Sequence, residues 1–136
     1  MRVYDIYLKY KKLQMYKKFN INKYMCDIEN PLNIDSTCRF IHKGIGVIIA
    51  PSAKLGKNCT IYQYTTIGGR DTPGDKAPVI GNNVTIYSYC CILGNIYIGD
   101  NSIIGAYSLV LDNIPENSIA YGIPARVIKK NEGTVE

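Results

Sequence analysis

From Leu55 onward an aliphatic side chain returns every six residues. Leu55, Ile61 and Ile67 set the period, and Ile80, Ile86, Ile92, Ile98, Ile104 and Val110 resume it. An amphipathic helix repeats near 3.6 residues and a half-buried strand every two, so neither alone produces this beat. A chain that turns a corner every six residues does. Each hexad then forms one side of a triangular coil, and stacked coils bury the recurring residue in a narrow core. Four residues after the beat come Cys59, Thr65, Val84, Cys90, Ile96, Ser102, Ser108 and Ile114, mostly small or β-branched side chains that suit a tight corner; Asp71 alone breaks that rule. One residue after the beat stands glycine in five of nine cases (Gly56, Gly68, Gly81, Gly99, Gly105), as expected of a corner that needs positive φ or close backbone approach. Aliphatic, small and glycine positions share one register, which disfavours a sandwich of short strands with accidentally regular spacing.

The beat fails in two places. Between residues 25 and 48 it is blurred. Between Ile67 and Ile80 it skips, and the intervening Gly68-Gly69-Arg70-Asp71-Thr72-Pro73-Gly74-Asp75-Lys76-Ala77-Pro78 is polar and rich in glycine and proline, so it is predicted to loop out. Three segments follow: a basic N-terminal helical cap at 1–24, a β-solenoid at 25–130 with a protruding loop at 68–79, and a C-terminal tail at 131–136. After Pro115 the chain is expected to close its last coil through Gly122-Ile123-Pro124-Ala125-Arg126.

Charge sharpens the picture at one end. Residues 1–24 carry seven basic side chains against Asp5, a local charge of +6 within a chain of net +5. This segment reads as a helix with lysines on its outer side, capping an open end of the coil; contact with a membrane surface through it is a minor alternative. Nucleic acid is not expected, because no second basic stripe accompanies the tyrosines.

Five cysteines lack metal-ligand spacing and His42 is the sole histidine, so no metal site is expected. A solenoid metalloenzyme that needs three histidines is excluded on the same ground. Cys59 and Cys90 fall on interior positions and read as small buried hydrophobes. Without a secretory signal pattern or an apolar run of membrane-spanning length, the expectation is a cytoplasmic protein with reduced cysteines.

His42 lies in Phe40-Ile41-His42-Lys43-Gly44-Ile45-Gly46-Val47-Ile48 and is the one side chain whose ordinary pKa lies near neutrality. The hexads, the Ile-His-x-Gly-x-Gly-Val-Ile stretch, Thr65-Thr66-Ile67-Gly68-Gly69, Ile92-Leu93-Gly94-Asn95-Ile96 and Gly122-Ile123-Pro124-Ala125-Arg126 together resemble the hexapeptide-repeat acyltransferases. Within that family the chain is most similar to serine O-acetyltransferase and its short sugar-acetylating relatives, over about residues 27–130.

The resemblance implies a left-handed parallel β-helix, an all-β fold, assembled as a homotrimer that binds acetyl-CoA between subunits. It also implies transfer of the acetyl group to a small hydroxyl acceptor, serine or a sugar. His42 matches the family's general base. Asp27 and Lys76 match substrate-binding positions, with Lys76 standing where the family has an arginine. Gly68, Ser88 and Ala106 match positions lining the cofactor groove. Two positions depart: Ala77 replaces a second active-site histidine, and Ile41 replaces the aspartate before the catalytic histidine. The departures keep open an alternative, a non-catalytic trimeric scaffold derived from such an enzyme.

Overall fold

The computed structural model describes residues 11, 13, 14, 25–71, 74 and 76–133. Two-residue strands dominate, and they stack in parallel into three flat faces of a triangular prism. Face 1 is built from Asp27–Ile28, Ile48–Ile49, Thr66–Gly68, Cys91–Leu93 and Leu109–Val110. Face 2 holds Lys54–Leu55, Val79–Ile80 and Tyr97–Ile98, extended by bridges from Ile34 and Ile114. Face 3 holds Arg39–Phe40, Thr60–Ile61, Thr85–Ile86, Ile103–Ile104 and the start of a terminal hairpin. The chain visits the faces in the order 1, 2, 3 and climbs one layer per turn. The result is a left-handed parallel β-helix of about 4 turns, as the hexads predict for the shape and the family resemblance for the hand.

The beat residues form the core. Ile61, Ile67, Ile86, Ile92, Ile98 and Ile104 are fully buried, stacked over one another through the partnerships Ile61–Ile86–Ile104 and Ile49–Ile67–Ile92. Each contributes about 1.5–3 kcal/mol by leaving water. A strand of two residues has little stability by itself; the continuous column of side chains and the interlayer hydrogen bonds hold the layers together.

The inward corner positions behave as expected. Cys38 Sγ donates to Gly56 O at 3.0 Å, Cys59 Sγ to Gly81 O at 3.0 Å, and Cys90 Sγ to Gly105 O at 3.1 Å. Burial pushes the Cys90 thiol up to about 11. A hydrogen bond with Cys38, then burial, raises Cys59 as well.

Four of the five glycines after the beat, all but Gly68, are there for close approach. A Cβ on Gly99 would sit 2.2 Å from Glu116 N, in the next layer. Positive φ falls elsewhere, three residues after the beat, on Asn58, Asn83 and Asn101 at one corner and Tyr64, Tyr89 and Tyr107 at another. Asparagine tolerates this region well. The asparagines also hydrogen-bond up their corner, Asn83 to Asn101 at 3.2 Å and Asn101 to Asn117 at 3.0 Å.

At the C-terminal end the structure differs from the expected simple closure. Ser118–Gly122 continues face 3, and Ala125–Lys130 turns back on it as an antiparallel strand. The added strand covers the edge of face 3 with Arg126, Lys129 and Lys130, a charged border of the kind that discourages edge-to-edge pairing. The predicted N-terminal cap falls on residues that mostly lie outside the described ones; Lys11, Leu13 and Gln14 are helical. Among the described residues no helix is long and apolar enough to cross a membrane.

Candidate active site

The blurred beat around His42 is an insertion at one corner. Phe40 partners Ile61, twenty-one positions on, whereas Ile49 partners Ile67, eighteen on. Three residues more than a regular hexad therefore separate Phe40 from Ile49, and they bulge out where the chain passes from face 3 to face 1. At the bulge His42 and Lys43 both take left-handed backbone conformations, with φ of 53° and 62°. His42 O accepts the Ile45 N–H at 3.2 Å, closing a tight turn, while the imidazole stands exposed. Two consecutive non-glycine residues at positive φ are costly, and such strain clusters at functional sites.

The other skip is an insertion of seven, because Ile67 partners Ile92 twenty-five positions on instead of eighteen. It leaves from the corner between faces 1 and 2. Arg70 fixes its first limb: the guanidinium donates through Nε to Leu93 O at 3.4 Å and through Nη2 to Leu111 O. Gly94, with φ of 98°, lies directly beneath; a Cβ there would come within 2.7 Å of Arg70 Nε. One side chain thus ties the loop to the next two layers. Lys76 is exposed on the returning limb, and Ala77 beside it is buried.

The expected site residues divide between two edges of face 1. Along the edge shared with face 3 stand His42, two residues past Phe40, then Ser88, two past Ile86, and Ala106, two past Ile104. Asp27 is exposed at the near end of face 1, where its N–H donates to Val47 O at 2.8 Å, just after the His42 bulge. Gly68 belongs to the opposite edge, a strand length or about 10 Å away at ~3.3 Å per residue, and Lys76 lies on the loop that leaves from that edge. Among the described residues a Cβ on Gly68 would meet nothing nearer than Ala50 Cβ at 4.0 Å, so their packing does not demand glycine there.

Three features of this region carry no marker in the hexad pattern that singles them out. Tyr64, Tyr89 and Tyr107 stack in one column at centroid separations of 5.1 and 4.9 Å, and Tyr62 stacks on Tyr87 at 4.8 Å. Arg70 is the second, and Gln63, between Tyr62 and Tyr64, is the third. For the tyrosines the available signal is their spacings of twenty-five and eighteen, equal to those of the core isoleucines. Two shallow concavities, one lined by Ile119, Lys129 and Asn131 and one by Asp35, Leu55 and Lys57, involve none of the expected site residues. Among the described residues no cluster of three or more His, Cys, Asp or Glu side chains forms a metal-binding arrangement.

Comparison with known proteins agrees with the fold. Residues 77–112 match the model for the bacterial transferase hexapeptide, six repeats. The chain is 43% identical over 93 residues to a serine acetyltransferase of Staphylococcus xylosus, an alignment covering 68% of this chain and 43% of that protein. In structure it is similar to a Neisseria gonorrhoeae serine acetyltransferase in complex with serine, with a TM-score of 0.66 and 34% identity over 71% of this chain and 39% of that one. It is likewise similar to a serine acetyltransferase in complex with CoA, with a TM-score of 0.63 and 30% identity over 76% and 39%. The chain spans less than half the length of the relatives it matches. Hexad, coil and corner insertions lead to the same place: residues 77–112 carry the bacterial transferase hexapeptide, and the proteins this chain is similar to are serine acetyltransferases.

Proposed function

We propose that the protein is an acetyl-CoA-dependent O-acetyltransferase acting on a small hydroxyl acceptor, with His42 as general base. The observation that carries this reading is the register of His42 with Ser88 and Ala106, at a bulge that turns the imidazole outward. In this role the neutral imidazole takes the proton from the acceptor hydroxyl as its oxygen attacks the thioester carbonyl. The C–S bond then breaks and CoA leaves as the thiol. The oxyanion of the tetrahedral intermediate is served by backbone N–H groups near the glycines of the groove. Asp27 and Lys76 supply opposite charges for an acceptor that carries both signs, as serine does. Gly68, Ser88 and Ala106 keep the groove shallow enough for the pantetheine arm to lie along the backbone.

A homotrimer is part of the proposal. The two groups of residues stand on opposite edges of face 1 in one chain. A neighbouring copy would bring its Gly68 and Lys76 edge against this copy's His42 edge. A cytoplasmic location fits the buried, reduced thiols of Cys38, Cys59 and Cys90.

Serine is the first acceptor to test, given the relatives' names. Ala77, where the resemblance expects a second histidine, favours a sugar hydroxyl as the second reading. Thiol release from acetyl-CoA, scanned across serine, nucleotide sugars and polysaccharide, tests both. Stimulation by serine supports the first and stimulation by a sugar the second. Release that no acceptor stimulates contradicts the transferase.

A further inference from the structure

Among the described residues, one buried side-chain polar atom has no hydrogen-bond partner: Oε1 of Gln63. A buried acceptor without a donor is costly, and Gln63 as a whole is only half-buried, so a turn of its amide brings Oε1 to a donor at the surface. Its position says which. Gln63 stands two residues past Ile61, in the row that begins with His42 and continues through Ser88 and Ala106. It therefore occupies the layer between the proposed base and the first cofactor-lining residue. The Tyr89 N–H donates to Gln63 O at 3.1 Å and the Tyr107 N–H to Ser88 O at 3.0 Å, which locks the row layer to layer. Stacked Tyr62 and Tyr87 flank it on one side, and Tyr64 and Tyr89 on the other. Two stacks of tyrosine rings thus border the row over the layers of Gln63 and Ser88. Beyond Gln63 the row's side chains shrink to those of Ser88 and Ala106, leaving room for an extended ligand.

The pantetheine arm of an acyl-CoA has the matching chemistry. It is narrow and extended, and it carries two secondary amides, the nearer one two methylenes from the sulfur. With the thioester at His42 and the arm running along Ser88 and Ala106, its first amide passes the layer of Gln63. We propose that Gln63 Oε1 accepts a hydrogen bond from a pantetheine amide N–H, which makes Gln63 a donor-binding residue. The assignment rests on the acetyl-CoA reading above.

Calorimetry on the full chain tests it with two probes, CoA and adenosine 3′,5′-bisphosphate, which lacks the arm. Gln63→Leu weakens CoA binding about tenfold, the scale of one lost hydrogen bond to a buried acceptor, and leaves the bisphosphate unchanged. Gln63→Glu keeps an acceptor oxygen and stays within about threefold of wild type for CoA, a difference of under ~1 kcal/mol. Undiminished CoA affinity in Gln63→Leu overturns the proposal, and so does a loss of CoA binding in Gln63→Glu. Equal loss of both probes in Gln63→Leu, with a smaller sedimentation coefficient, also overturns it and gives the donor to a second copy of the chain. A wild type that binds neither probe defeats the acetyl-CoA reading and this assignment with it, whereas a wild type that binds CoA confines any failure to Gln63.

Discussion

A Cβ on Gly46 would come within 2.3 Å of Cδ1 of Tyr64. Gly46 occupies the corner position directly below Tyr64, eighteen residues earlier, and the tyrosine ring lies across its backbone. The tyrosine column that continues through Tyr89 and Tyr107 thus rests on a glycine at the foot of the His42 bulge. That glycine has φ of 67°, so conformation and space both require it. Gly46→Ala is expected to destabilise the protein by about 1–3 kcal/mol. Denaturant unfolding followed by tyrosine fluorescence measures the loss, and a midpoint equal to wild type contradicts the packing described.

Gly68 offers the opposite case. Among the described residues nothing crowds its missing Cβ, so Gly68→Ala should change stability by no more than about 0.5 kcal/mol. If the groove serves a cofactor, the same methyl intrudes on it. The KM for acetyl-CoA should then rise about tenfold, the scale of ~1.4 kcal/mol of lost binding. Unchanged stability together with unchanged KM removes Gly68 from the groove.

Much of this architecture is legible in the amino-acid pattern. The isoleucines dictate the three faces of the prism, because a six-residue beat has no other compact solution. The seven-residue insertion shows as a skipped beat. Less visible is the nature of the blur at His42. Three extra residues there can be counted only once Phe40 is paired with Ile61 and Ile49 with Ile67, and pairing is a property of the stack. The corner glycines are legible as a position but ambiguous in cause; the structure assigns all but Gly68 to close approach and gives positive φ to Asn and Tyr, three residues after the beat. The last strand is hidden because Ala125–Lys130 shows no alternation. Only Ala125 is buried, and the remaining residues face solvent on both sides. Arg70 and Gln63 are hidden for a related reason: their importance lies in partners two layers away, or in a partner that is lacking.

Arg70 anchors the loop that carries Lys76. Arg70→Ala removes both donors to the Leu93 and Leu111 carbonyls, and limited proteolysis should cut within 68–79 at least about threefold faster. The KM for the acceptor should rise more than that for acetyl-CoA, since Lys76 is the expected acceptor contact. Equal proteolysis rates in variant and wild type contradict the anchoring role.

The buried thiols set an alkaline limit. Burial holds Cys90 up to about 11 in the folded state, against 9.0 for the free thiol. The unfolded chain therefore loses this proton first. The stabilisation is complete below pH 9 and is lost as the pH rises from 9 through about 11. Cys59 is raised in the same direction. The thermal midpoint should fall across this window, and less steeply in Cys90→Ala. Equal slopes in the two proteins count against a desolvated Cys90.

The proposed reaction stands or falls on His42. The direct measurement is acceptor-dependent CoA release from acetyl-CoA by wild type and His42→Ala, with CoA binding checked by calorimetry in both. General-base catalysis predicts a rate lower by about 10²–10⁴-fold in the variant, with CoA affinity retained. Acceptor-dependent release at the wild-type rate in His42→Ala would contradict it.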